Sequence, residues 1–320
     1  MFKNLVLFRF DSEALAKLLP DLETHLAAMP LKPIGPQQMA TSGFLPFIHG
    51  TPAHALVANG MTFVNIGIEK RLLPAKAIER EVARRIAAIE EQSGKPLRSK
   101  ARRQLHDDVL LELLPRALTI VDRVQAFIDP VSGYFGVGTS SRKTGEFVAS
   151  LLRAALGSFP VERLSPETSP VLTLTAWLRD GALPEGYEFG AEVLLKDAGV
   201  GSTIRAAKEE IASPEFLAHL QSGKCVSRLA VAKRDHASLV VGEDLILRKL
   251  AFVLKEDDSA QTTTDADAQA SAADATAYLA AAEIRTLLAD LSVLLGPRLV
   301  TAQPQLQRPL QLTLDVPEAA

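Results

Sequence analysis

Residues 136–145, GVGTSSRKTG, set glycines, hydroxyls and a Lys143-Thr144 pair between a strand-like run and a helical one. That is the setting of a phosphate-binding loop, where glycines let backbone amides wrap a phosphate chain. The motif G-x-x-x-x-G-K-[ST] requires glycine at positions 137 and 142, which here are Val137 and Arg142. Both positions fail, so a hairpin-to-helix connection with exposed bases is the better reading. His106-Asp107-Asp108 could serve a metal or acid–base chemistry. The triplet also lies on the polar side of a helix beside five bases, where acids simply balance charge. The six histidines show no pair with metal-ligand spacing, and a single cysteine forms no cluster. Cys225 falls in a strand-like run and reads as a small core residue. No G-x-S-x-G is present. These residues argue for no metal and no cofactor, and give no positive reason to assign an enzyme.

The stronger chemical signal is charge. KPLRSKARRQ, 95–104, carries Lys95, Arg98, Lys100, Arg102 and Arg103 with no acid between them. Further bases stand at Arg84, Arg85, Arg116, Arg142, Lys143, Arg205, Lys208, Lys224, Arg228, Lys233 and Arg234. Single-strand binders stack bases on aromatic platforms, and aromatics make up only 5 % of this chain. Bases without aromatics fit contact with a duplex backbone better, because phosphates need only charge and donors. The competing reading of such a run is a solvated charged face.

The elements that must position these residues follow from periodicity. FKNLVLFRF, 2–10, predicts a strand. Asp11 or Ser12 can cap a helix running to about Met29. The proline- and glycine-rich stretch 30–52 reads as a structured loop, and a second strand begins at Met61. Ile78, Val82, Ile86 and Ile89 predict a helix over 75–92, and Leu105, Val109 and Leu113 a second over about 98–114. The basic cluster therefore lies at the junction of two helices and in the first turn of the second. Positive charge there opposes the helix macrodipole, so local helix stability does not explain it. A hairpin over 126–140 turns at Asp129–Gly133, and the next helix is closed by Gly157. Residues 158–170 hold three prolines and mark a boundary. PVLTLTAWLRDG, 170–181, is a strand or short helix. FGAEVLLKDAG and STIRAAKEEI look extended, and Ser213-Pro214-Glu215 starts a helix. CVSRLAVAKRD, SLVVG and DLILRKLAFVL predict an antiparallel meander. The acidic, alanine-rich stretch 255–276 reads as mobile, followed by a helix over Tyr278–Leu295.

The fold class is thus α+β, with antiparallel sheets, packed helices and a projecting helical tip. The expected domains are an N-terminal α+β domain over 1–165 with its tip at about 75–118, a C-terminal α+β domain over 166–296, and a flexible tail over 297–320. The chain has 320 residues, 47 % hydrophobic, and a net charge of −3. Residues 256–320 hold ten acids and three bases, so the preceding 255 are net basic. No apolar run reaches membrane-spanning length, and no signal peptide is expected at the N-terminus. With one cysteine, a reducing cytoplasm is expected.

Several short segments resemble the family of the recombination-associated protein RdgC: VANG (57–60), LLPRA (113–117), LLRAALGSFPV (151–161), LTLTAWLRDG (172–181), IRAAKEE (204–210) and LAHLQSGKCVSRLAV (217–231). The resemblance implies a ring-shaped homodimer that encircles double-stranded DNA without marked sequence preference. It also implies association with the nucleoid and restraint of RecA-driven strand exchange. It places the basic cluster in the helical projection of the ring and Lys208 at the DNA; Arg116, Arg205, Lys224 and Arg228 join them as candidate DNA contacts on their charge. Glu209 stands beside Lys208 where the family carries a neutral amide. Leu118 matches a position near where the helical tips meet, so Leu114 and Leu118 are the expected dimer contacts. Two other readings remain: a protein-interaction module acting directly on a recombinase, and a phosphate-loop enzyme at 136–145.

Overall fold

The computed structural model describes residues 2–48, 50–166, 168–197, 199–207, 214–253 and 266–295. In chain order the elements are β1 (Val6–Phe10), α1 (Ser12–Ala16), α2 (Leu22–Ala28), β2 (Ala40–Leu45), β3 (Ala55–Ala58), β4 (Met61–Arg71), α3 (Ala75–Ser93), α4 (Ser99–Leu113) and a 3-10 turn (Leu114–Arg116). Then come β5 (Thr119–Asp129), β6 (Tyr134–Val137), α5 (Arg142–Leu156), β7 (Val161–Arg163), α6 (Pro170–Asp180), β8 (Tyr187–Asp197) and β9 (Thr203–Ala207). The chain closes with α7 (Pro214–Gln221), β10 (Lys224–Lys233), β11 (Ala237–Gly242), β12 (Leu247–Phe252) and α8 (Ala266–Leu295). The α+β class is as expected.

Two sheets form, one in the order β2-β4-β5-β6-β1-β7 with β3 paired to β4, the other in the order β12-β11-β10-β8-β9. The β10–β11–β12 meander is antiparallel throughout, as its alternation predicts. The hairpin between β5 and β6 pairs Asp129 with Tyr134, so its turn falls where the sequence places it. Gly157 closes α5 at φ 73°, a left-handed conformation that costs glycine little.

Three expectations are corrected, and the choice left open at 170–181 between strand and short helix falls to the helix. The helix expected over 11–29 is two, because Pro20 interrupts the hydrogen-bond ladder between α1 and α2; Asp11 does cap the first, accepting from the Glu13 amide at 3.0 Å. The loop expected over 30–52 contains β2. PVLTLTAWLRDG is a helix, begun by Pro170 and closed by Gly181 in the left-handed region. Residues 266–276, expected to be mobile, belong to α8. Alanine is the best helix former, and composition alone hid that. Residues 254–265 and the tail from 296 onward lie outside the described residues.

The chain divides into two compact units. One comprises residues 1–29 and 44–66 together with the chain from 124 onward into α8, and holds a large apolar core. In it α8 buries Ile284, Leu287, Leu288 and Leu291, while β8 and β10 supply Val193, Leu195, Leu229 and Val231. The other comprises 30–43 and 67–123, and its buried apolar side chains among the described residues are Ile78, Val109 and Leu114. With so little apolar burial, this second unit depends on polar ties. The Arg71 guanidinium donates to the carbonyls of Gln38, Gly35 and Ala117 at 3.0, 3.0 and 3.3 Å. Lys70 pairs with Asp122 at 2.6 Å.

The glycines of 136–145 serve packing. Gly136 lies opposite Phe127 in the β5–β6 ladder, and a Cβ built there would come within 2.1 Å of the Phe127 ring. At Gly138 it would meet Phe2 at 2.8 Å, and at Gly145 Val6 at 2.9 Å. Gly136→Ala is therefore expected to destabilise the chain by about 1–3 kcal/mol through overpacking, read as a lower urea midpoint. An unchanged midpoint would contradict this account of the glycine.

Candidate nucleic-acid interface

The helices α3 and α4 form an αα-hairpin whose charges sort into two groups. The first group is internally paired. Glu81 accepts from Arg84 at 2.6 Å and from Arg85 at 2.8 Å, and Arg85 reaches across to Glu112 on α4 at 2.8 Å. Hydrogen bonds from Arg84 and Arg85 hold the Glu81 carboxyl down at about 2. Towards the connecting loop, Glu90 accepts the Leu97 amide at 2.8 Å and the Arg102 guanidinium at 3.0 Å. That amide, then Arg102, keeps Glu90 below the ordinary carboxylate range.

The second group is what these pairs leave over. Lys95, Arg98, Lys100 and Arg103 are exposed and have no ion-pair partner among the described residues. They lie within a few residues of the start of α4, where Arg98 occupies the N-cap position without a side-chain cap and the first turn holds no acid. The leading amides of a helix lack internal partners and carry the positive end of its dipole. Uncapped and flanked in sequence by four exposed cations, this end of α4 suits an anion such as a phosphate. Gly94 makes the tight connection possible, closing α3 at φ 64° with its amide on the Glu90 carbonyl at 2.9 Å. Arg116 is exposed at the end of the 3-10 turn. Leu114 is 2 % exposed and Leu118 is 76 % exposed, so of the two leucines only Leu118 presents apolar surface.

The other expected contacts lie on the second sheet. Arg205 on β9 pairs with Glu192 at 2.9 Å, and Glu192 also takes Lys249, which with Arg205 holds its carboxyl low. Arg205 is thus partly neutralised. Arg228 on β10 is exposed and Lys224 half-buried, neither with an ion pair among the described residues. Lys208 and Glu209 lie outside the described residues. Sequence reasoning named the cations but missed Glu81, Glu90 and Glu112, the acids that decide which cations remain available. The i, i+3 and i, i+4 spacing of Glu81 to Arg84 and Arg85 was a legible signal; the tie from Glu90 to Arg102 was not.

The alternative chemistries find little support in the geometry. The Ser141 hydroxyl caps α5, accepting from the Thr144 amide at 3.3 Å, and Arg142 donates to the Asp244 carbonyl at 2.7 Å. The amide and the guanidinium that a phosphate loop would offer are thus engaged. His106 and Asp107 are 3.5 Å apart and both exposed. Among the described residues no three His, Cys, Asp or Glu side chains gather as metal ligands. Cys225 is half-buried on β10, opposite Lys196. Among the same residues no helix is long and apolar enough to cross a membrane.

Comparison with known proteins is consistent over nearly the whole chain. Residues 1–298 match a family model described as "Putative exonuclease, RdgC". The chain is 38 % identical over 278 residues to the recombination-associated protein RdgC of Xanthomonas oryzae pv. oryzae strain PXO99A, covering 83 % of this chain and 91 % of that protein. It is 38 % identical over 257 residues to the protein of the same name from Xanthomonas campestris pv. campestris strain B100, covering 79 % and 83 %. Against that of Stenotrophomonas maltophilia strain R551-3 it is 37 % identical over 257 residues, covering 79 % and 84 %.

Proposed function

The chain belongs to the RdgC family, and from that premise we propose that it binds the backbone of double-stranded DNA without marked sequence preference. It acts as a homodimer that holds the duplex within a ring, on the nucleoid, and modulates RecA-dependent recombination by occupying DNA. The observation that carries this reading is the start of α4, an uncapped helix end with four exposed cations that have no ion-pair partner among the described residues. Cations crowded at a positive helix end repel it and one another, an arrangement that a bound polyanion relieves. The relatives are named for recombination, a process whose substrate is DNA. Leu118 supplies apolar surface for the contact between copies. The reading is one of binding; it assigns no residue to the exonuclease wording of the family description.

Titrating the protein, with its solution mass measured alongside, into two unrelated duplexes of equal length tests it. Dissociation constants within about threefold of each other and a dimeric mass are expected, because phosphate contacts position without specifying. A preference of tenfold or more for one sequence, or a monomer at micromolar concentration, would overturn it. Absent duplex binding combined with direct capture of RecA would favour the protein-interaction reading.

A further inference from the structure

We propose that Glu90 is a positioning residue for DNA binding and that Arg102 is its partner in a loop clamp, not a phosphate ligand. This rests on the DNA-binding reading above and assigns roles within that surface. The Glu90 Oε1 accepts from both the Leu97 amide at 2.8 Å and Arg102 Nη2 at 3.0 Å. Arg102 Nε donates to the Leu97 carbonyl at 3.1 Å. Glu90, Leu97 and Arg102 therefore close a ring of hydrogen bonds across the α3–α4 connection, gripping both backbone groups of one loop residue. The Nε–Nη2 edge of Arg102, one of the pairs of donors that could clasp a phosphate bidentately, is engaged inside the chain. Lys95 and Arg98 sit on the connection gripped in this way, and Lys100 lies in the first turn beyond it, with Arg103 next to Arg102. A loop held in one arrangement loses less freedom on binding than one that must be ordered.

The clamp makes a prediction that opposes simple charge counting. Glu90 is an acid beside a phosphate-binding surface, so by Coulomb's law alone its removal should tighten binding. If it positions the loop, truncation should weaken binding. Glu90→Gln keeps an oxygen acceptor for the Leu97 amide while removing the charge; Glu90→Ala removes both. Measured on one random duplex by fluorescence anisotropy across a salt series, Glu90→Gln is expected to bind at least as tightly as the unaltered chain. Glu90→Ala is expected to bind about tenfold more weakly with a flatter salt slope and unchanged helicity. Equal or tighter binding by Glu90→Ala would overturn the proposal. Should that variant lose helicity, Arg102→Lys decides the matter, since it preserves charge but not the planar fork. The proposal expects several-fold weaker binding from Arg102→Lys, and unaltered binding would overturn it. Lys100→Ala with Arg103→Ala separates the two layers. If that pair weakens binding while Glu90→Ala does not, only the clamp falls. If that pair has no effect, the DNA surface lies elsewhere and both fall.

Discussion

Replacing Lys95, Arg98, Lys100 and Arg103 together by alanine is expected to weaken duplex binding about 100-fold or more while leaving the helical content unchanged. The four side chains are exposed and make no ion pair among the described residues, so the folded chain loses little with them. A hydrogen bond to a charged group contributes about 1.5–3 kcal/mol net, and about 1.4 kcal/mol is a factor of ten in affinity. If each half of a dimer loses even one such contact to phosphate, the combined loss reaches about 100-fold. The effect should fall equally on unrelated sequences, since base edges are not involved. It should also reduce the salt dependence, because each lost phosphate contact removes about 0.9 from the log–log slope. A solvated charged face predicts neither change. Equal affinity in the quadruple variant would remove the α4 surface from the account.

Arg285→Ala is expected to cost about 3–5 kcal/mol of stability, the largest effect of a single substitution anticipated for this chain. Arg285 on α8 grips Asp129 at the end of β5 with two hydrogen bonds, of 3.0 and 2.8 Å. Asp129 is fully buried and also accepts from the Ser132 hydroxyl at 2.6 Å and the Val131 amide at 3.3 Å. Truncating the arginine leaves a buried carboxylate without its counter-charge, which costs far more than the pair itself contributes. The hydrogen bonds to Asp129 raise the Arg285 guanidinium above its ordinary range, so the arginine stays charged. Arg285→Lys should recover part of the loss, because one point contact replaces a fork. Chemical denaturation reads both variants; a cost below about 1 kcal/mol for Arg285→Ala would contradict the assignment.

What was legible in the sequence follows from how local each cause is. The β10–β11–β12 meander, the α3 and α4 helices and the Gly157 stop were readable because alternation, helical spacing and a glycine terminator act within a few residues. The Asn59-Gly60 hairpin between β3 and β4 was missed although its signal was local: both residues adopt positive φ, 49° and 69°, as a two-residue hairpin turn demands. The single helix expected over 11–29 ignored Pro20, and β2 was hidden in a stretch whose prolines and glycines signalled a loop. The Arg285–Asp129 pair, 156 residues apart in sequence, had no local signature at all. For the site, a run of five bases was plain, but which of them are available depends on Glu90 and Arg102, which lie on different helices.

The central claim is that this surface reads phosphate charge, and the salt dependence of duplex affinity tests it most directly. If each copy in a dimer places about three cations on phosphates, log Kd should change linearly with log salt concentration, giving an affinity slope on the order of −5. The account predicts that slope for the unaltered chain, the same on two unrelated duplexes, and reduced by more than half in the quadruple alanine variant. A slope near zero in the unaltered chain, or one unchanged by the four substitutions, would contradict it.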